Sequence, residues 1–372
     1  MHKIVVKLGT STLTQGTKQL SRRAMLEIAR QVAHLQEKGK QVVLVTSGAV
    51  AAGRECLGHP TVERFWPSKQ MFAAVGQSRL MQIWADLFSI FHIQVGQLLL
   101  TRDDFSNRQR YLNIRDSLHC MLKHRILPII NENDTIATKE IRVGDNDNLA
   151  ALVSNLIAAD RLILLTDQEG LYTADPRLDN QAALIPRINH IDEKIFALAG
   201  GASASLGLGT GGMYTKVQAA QLASQSGTST VITSFKHPNV LLDIADGHAI
   251  GTFFMAETTA RESRKRWLLS EKHQGKIQID AGAEQKLRHN GASLLPIGIT
   301  QTFQSFDRGA LVQLVSLSGY PIAVGITNYK SQDIQKLIGT HSQHIEDILG
   351  YSYGPEIIHR DNMTRTRFKE DS

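Results

Sequence analysis

Short apolar runs rich in β-branched residues alternate with stretches of helical apolar spacing through the first two-thirds of the chain. The runs Ile4–Leu8, Gln41–Val45, Val95–Leu100, Ile126–Ile130, Arg161–Leu165 and Thr230–Thr233 predict strands. Between them, Ser21–Lys38 places Met25, Ile28, Ala29, Val32 and Leu35 on one helical face and ends at Gly39. Met71–Ile90, Leu112–His124, Leu149–Ala159 and Met213–Gln225 predict further helices. Continuously apolar strands alternating with helices predict an α/β domain, a mostly parallel sheet covered on both faces.

After about Thr258 the pattern changes, so the first domain is expected to span 1–258. Residues 259–274 are charged and read as a linker or connecting helix. Residues 275–354 hold short strand patterns at Lys276–Ile279, Ser293–Leu295, Ala310–Leu317 and Ile322–Thr327, with one helical signal at Ala283–His289. Frequent glycines between them predict a small β-barrel-like domain. Residues 355–372 read as a C-terminal tail, charged and loosely ordered from Asp361 onward.

Composition narrows the class. A chain of 372 residues with 42% hydrophobic and 20% charged positions is an ordinary globular protein long enough for two cores. Cys56 and Cys120 are too few for a disulfide framework and lack metal-ligand spacing, so they read as buried or incidental thiols in a reducing cytoplasm. The N-terminal apolar run is too short for a signal peptide, and no stretch is long and apolar enough to cross a membrane. The expectation is a soluble cytoplasmic protein. The net charge of +6 fits anionic small substrates, solubility or nucleic acid, with a local basic run at Arg264-Lys265-Arg266.

The polar and glycine clusters fall at the predicted C-terminal ends of strands, where open α/β sheets bind ligands. Lys7 ends the first strand beside Gly9. Buried in a sheet it needs an anion; at the strand edge it reaches solvent. Ser47 and Gly48 follow the second strand and form either an anion site or a helix cap. Gly144-Asp145-Asn146-Asp147-Asn148 holds more capping residues than one helix start needs. Its carboxylates could bind Mg²⁺, position cationic side chains or receive an ammonium group. Asn131-Glu132-Asn133-Asp134 lies just upstream, and Thr166-Asp167 ends another strand. Gly207–Lys216 is glycine-rich without a Walker A ending; it reads as a phosphate cradle before a helix or as a flexible linker. None of the 14 histidines falls in a cluster that suggests metal ligation or a catalytic triad.

Taken together, VKLGTS (6–11), VTSGAVAAGR (45–54), INENDTIAT (130–138), VGDNDNLAALV (143–153), LLTDQEGLYTADPR (164–177) and GLGTGGMYTK (207–216) resemble the amino-acid kinase family. GKIQIDAGA (275–283), GASLLPIGI (291–299) and HSQHIEDILGYSYGPEIIHRDNM (341–363) resemble the PUA module. The resemblance implies a three-layer α/β/α sandwich with a mostly parallel sheet, followed by the small β-rich domain. It implies ATP-dependent phosphorylation of the L-glutamate γ-carboxylate to L-glutamyl 5-phosphate, the first step of proline biosynthesis. By the same resemblance Lys7, Thr166, Asp167, Thr210, Gly211, Gly212, Met213, Tyr214, Thr215 and Lys216 contact ATP, with Mg²⁺ bridging its phosphates. Ser47, Asp134 and Asn146 hold glutamate, and Asp147 organises Lys7 and Lys216, the three forming the catalytic group. Arg142 stands where this family often has lysine. Proline as feedback inhibitor and a homotetramer are implied likewise. The reactivity of an acyl phosphate suggests a transient partnership with glutamyl phosphate reductase. Two alternatives remain at this point: a sibling kinase acting on another carboxylate such as N-acetylglutamate, and an RNA-binding protein working through the PUA-like domain.

Overall fold

The computed structural model describes residues 2–62, 65–137, 146–200, 212–289 and 291–366. The chain divides into two compact units, Met1–Ala260 and Arg261–Ser372.

In the first unit, strands β1 (Lys3–Leu8), β2 (Gln41–Thr46), β3 (Val95–Leu100), β4 (Leu127–Glu132), β5 (Arg161–Thr166), β6 (Arg187–Ile188), β7 (Ser229–Ser234) and β8 (Thr252–Phe254) form one sheet of order β3-β4-β2-β1-β5-β7-β8-β6. The pairs from β3 across to β7 are parallel; β8 runs antiparallel to β7, and β6 pairs parallel with β8. The order reverses at β1, which lies between β2 and β5, so a ligand crevice belongs at its C-terminal end.

The helices are α1 (Thr10–Thr14), α2 (Arg22–Glu37), α3 (Ala49–Cys56), α4 (Trp66–Ser89), α5 (Arg102–Ser106), α6 (Arg108–Lys123), α7 (Asn146–Ile157), α8 (Glu193–Leu198), α9 (Met213–Gln225) and α10 (Val240–Asp246). They cover both faces of the sheet. On β1 the two-residue period sends Ile4, Val6 and Leu8 into a core with α2, α3, α4 and α10. Val5 points the other way, into a core with α6, α7 and α9. Lys7 shares the parity of Val5, so its side chain is directed at α7 and α9.

Predicted and observed elements differ mainly at helix starts. α4 begins at Trp66, ahead of the expected Met71, because Pro67 suits the first turn, where its missing N–H costs nothing. α6 begins at Arg108 because the Asn107 side chain accepts from the Arg110 amide. α7 stops at Ile157, ahead of Ala159, where Ala158 turns left-handed at φ 51°.

The second unit holds helix α11 (Ala260–Ser270), which starts at the last residue of the first, and α12 (Ala281–His289), α13 (Ser331–Leu337) and α14 (Ile345–Leu349). Its strands β9 (Gly275–Ile279), β10 (Ile299–Phe303), β11 (Leu311–Val315), β12 (Pro321–Ile326) and β13 (Met363–Arg365) form a sheet of order β10-β9-β11-β12-β13. Only β9 and β11 pair in parallel. Its separate core includes Ile277, Val312, Leu314, Tyr329, Ile334, Ile357 and Ile358. The expected strand Ser293–Leu295 reduces to one bridge, Leu294 with Ile358, because Pro296 starts a helical turn there. The expected loose tail is corrected over Met363–Arg365, which adds a strand to β12. α13 and α14 went unpredicted; at 7 and 5 residues they carry too little periodicity to register.

Candidate active site

Four parallel strands end at the same edge of the first sheet, and each delivers polar groups there. β1 ends beside Lys7 and Gly9, β2 at Thr46 before Ser47, β4 at Asn131 and Glu132, and β5 at Thr166. The centre is an ion-paired triad. Lys7 Nζ lies 2.7 Å from Asp147 Oδ1, and Lys216 Nζ lies 3.1 Å from Asp147 Oδ2. Lys7 is 6%, Asp147 1% and Lys216 7% exposed, so all three charges are withdrawn from water.

Lys7 comes from β1, Asp147 from the first turn of α7 and Lys216 from the first turn of α9. Thr215 Oγ1 adds a hydrogen bond to Asp147 Oδ2 at 3.0 Å. Burial alone would raise the Asp147 carboxyl. The Lys7 and Lys216 ammonium groups outweigh that penalty and hold it below the usual carboxylate range. With two cations against one anion, the triad keeps one surplus positive charge. A buried surplus of that kind calls for an anionic ligand.

Beside the triad lies a cleft of about 370 Å³ lined by Thr10, Ser47, Gly48, Ala49, Val50, Ala51, Arg54, Lys69, Asn131, Glu132, Asp134 and Asn146. Ser47 does not cap α3; Gly48 does, at φ 101°, where a side chain would be strained. Ser47 Oγ instead accepts from Asn146 Nδ2 at 2.8 Å. The same amide nitrogen reaches Thr46 O and Asn131 Oδ1, both at 3.0 Å. That leaves Asn146 Oδ1 buried with no hydrogen-bond partner among the described residues.

Thr166 Oγ1 donates to Asp167 at 3.0 Å at the end of β5. Gly212 precedes α9, whose first amides at Met213, Tyr214 and Thr215 have no helical partners to donate to. The Met213 and Tyr214 side chains pack against the core, the Tyr214 ring tilted at 52° to Phe196 with centroids 5.3 Å apart. Thr210, Gly211, Arg142 and Asp145 lie outside the described residues. Both cysteines are exposed rather than buried, and neither is paired.

Residues 2–234 match the amino acid kinase family. The chain belongs to the amino acid kinase family. Residues 275–349 match the PUA domain. Over nearly its whole length the chain is similar to the glutamate 5-kinases of Enterobacter sp. (strain 638) and Escherichia coli O1:K1 / APEC. Each is 50% identical over 360 residues, covering 97% of this chain and 98% of the relative. The fold is also similar to that of carbamate kinase from Giardia lamblia bound to AMP-PNP, with 18% identity and a TM-score of 0.50 over 69% of this chain and 99% of that one.

Sequence reasoning passed over Thr10, Arg54, Lys69, Asn131 and Glu132 as individual cleft residues of this amino acid kinase. Thr10, Arg54, Asn131 and Glu132 stand inside motifs already noted, so their proximity to Lys7, Ser47 and Asp134 was an available signal. Lys69 carried none, because α4 reaches the cleft through tertiary contacts, its packing on α3 and the hydrogen bond from Asn131 to Gln77.

Proposed function

We propose that this chain transfers the γ-phosphoryl group of ATP to the γ-carboxylate of L-glutamate, giving L-glutamyl 5-phosphate and ADP at the first step of proline synthesis. The observation that carries the reading is the surplus positive charge of the buried Lys7–Asp147–Lys216 triad, set next to a cleft with both acidic and basic groups. The acceptor carboxylate is ionised at neutral pH, so no general base is required. A carboxylate oxygen bonds to the γ-phosphorus while the bond to the β,γ-bridging oxygen breaks. Catalysis then rests on alignment and on offsetting the repulsion between two anions.

Lys7 and Lys216 supply that positive charge, and Asp147 keeps both ammonium groups aimed at the transferred group. The amides ahead of and within the first turn of α9, with Thr166 and Asp167, suit the nucleotide. Both Asp147 oxygens already face ammonium groups, so this carboxylate fits a role in positioning lysines better than one in metal ligation. A magnesium ion accompanying the nucleotide would supply further neutralisation of charge on the transferred group. Asp134 and the unpartnered Asn146 Oδ1 suit the substrate ammonium, with Ser47 holding Asn146 in place. N-acetylglutamate has no ammonium to offer them.

The finer reading includes proline as a feedback inhibitor, a homotetramer, a cytoplasmic location and transient contact with glutamyl phosphate reductase. Among the described residues no helix is long and apolar enough to cross a membrane.

The test is ATP turnover with Mg²⁺ and glutamate, trapping the acyl phosphate with hydroxylamine, with N-acetylglutamate and aspartate in parallel. Hydroxamate from glutamate alone is the expected result, and Lys7→Ala or Lys216→Ala should lower the rate on the order of 10²–10³-fold. Product from none of the three acids sinks the reading.

A further inference from the structure

Arg54 stands out on the cleft wall. It belongs to α3 and lines the cleft, yet among the described residues its guanidinium has no carboxylate partner. Its recorded contact is with the Phe72 ring, over which the guanidinium carbon lies at 4.5 Å. A ring under one face steadies the group and leaves its N–H edges free to donate.

The cleft has polarity. Thr10 follows Lys7 closely in sequence and Asn146 immediately precedes Asp147, so that end adjoins the phosphoryl-transfer centre. Arg54 sits about 7.5 Å further along the α3 axis from Ala49, at the helical rise per residue. Helical side chains lean toward the N-terminus, which returns the guanidinium to the cleft. Lys69 adds a second positive charge from α4, and the first amides of α3 add donors. The acidic groups Glu132 and Asp134 come from the β4 end instead. A zwitterionic head group matches that division: ammonium toward Asp134 at the β4 end, carboxylate toward Arg54 on α3.

We infer that Arg54 binds the α-carboxylate of the amino-acid substrate and is the main determinant requiring one. The inference rests on the reading of the cleft as the glutamate site. It makes Arg54 a specificity residue whose loss weakens glutamate and leaves ATP alone.

The experiment compares wild type, Arg54→Met and Arg54→Lys in two measurements, hydroxamate kinetics and calorimetric binding. The ligands are L-glutamate and γ-aminobutyrate, which keeps the distal carboxylate and the ammonium but lacks the α-carboxylate. In Arg54→Met the glutamate KM and Kd should rise about tenfold, the effect of losing one charge-assisted hydrogen-bonded contact. The γ-aminobutyrate Kd and the ATP KM should stay put, and Arg54→Lys should fall between, since it keeps charge without the planar fork. An unchanged glutamate KM in Arg54→Met overturns the inference, as does an equal loss for both ligands. If Arg54→Met does not fold, Arg54→Lys alone decides by the same comparison of ligands. A wild type that binds glutamate but forms no hydroxamate sinks the proposed reaction and leaves the subsite to be judged by the Kd values.

Discussion

At the scale of single residues, Asp147 decides the most. It is 1% exposed and faces two ammonium groups, so replacing it by asparagine leaves two like charges buried together. Breaking such a group by removing one partner costs about 3–5 kcal/mol. Asp147→Asn should therefore lower the urea midpoint as well as the rate. The pH dependence follows from the direction of its shift. The folded carboxyl titrates below the usual range, so its contribution is present above about pH 4 and is lost as pH falls through the depressed folded value. The stability gap between wild type and Asp147→Asn should be constant from neutral to mildly acidic pH and close in strong acid. A gap that narrows between pH 7 and 5 would show that Asp147 is not held ionised by the lysines.

Among elements, the crossing of α3 and α4 shapes the cleft. Gly53 and Gly76 let the two helices meet at backbone distance. A Cβ on Gly53 would stand 2.0 Å from Phe72 O, and one on Gly76 1.8 Å from Ala49 O. These glycines serve close approach, since neither appears among the positive-φ positions. The approach places Phe72 of α4 against Arg54 of α3 and brings Lys69 of α4 to the same cleft. Gly76→Ala must spread the helices, with overpacking of about 1–3 kcal/mol. The expected outcome is a lower thermal midpoint together with a higher glutamate KM and a largely retained ATP KM. If both substrates lose affinity equally, the crossing supports the whole domain rather than the cleft.

At the scale of the whole molecule, every residue assigned to the site lies within Met1–Ala260, and the two cores of that unit share no residue with the core of the second. A chain ending at Ala260 should fold and form hydroxamate from glutamate and ATP, as followed by circular dichroism and the trapping assay. An unfolded or inactive product would mean that the PUA unit contributes to the kinase unit directly.

Much of this protein is written locally in its sequence. Strands β1, β2, β3, β4, β5 and β7 and their helices were legible because buried parallel strands are continuously apolar and amphipathic helices repeat near every third or fourth residue. Lys7, Ser47, Asp134, Asn146, Asp147 and Lys216 were legible as candidates because glycine, hydroxyl, amide and charged residues cluster at strand ends and helix starts. The short elements β6, β8, α13, α14 and β13 were not, since a few residues carry little periodicity and depend on partners distant in sequence. That Asp147 faces Lys7 and Lys216 together came only through the family resemblance, since neither composition nor periodicity shows it. Those residues lie far apart in the chain, and only the strand parity of β1 and the packing of α7 and α9 over it bring them within 2.7 and 3.1 Å. The same holds for Arg54. Its charge is plain in the sequence, but its seat over the Phe72 ring and its place on the cleft wall exist only once two glycines have let α3 and α4 touch.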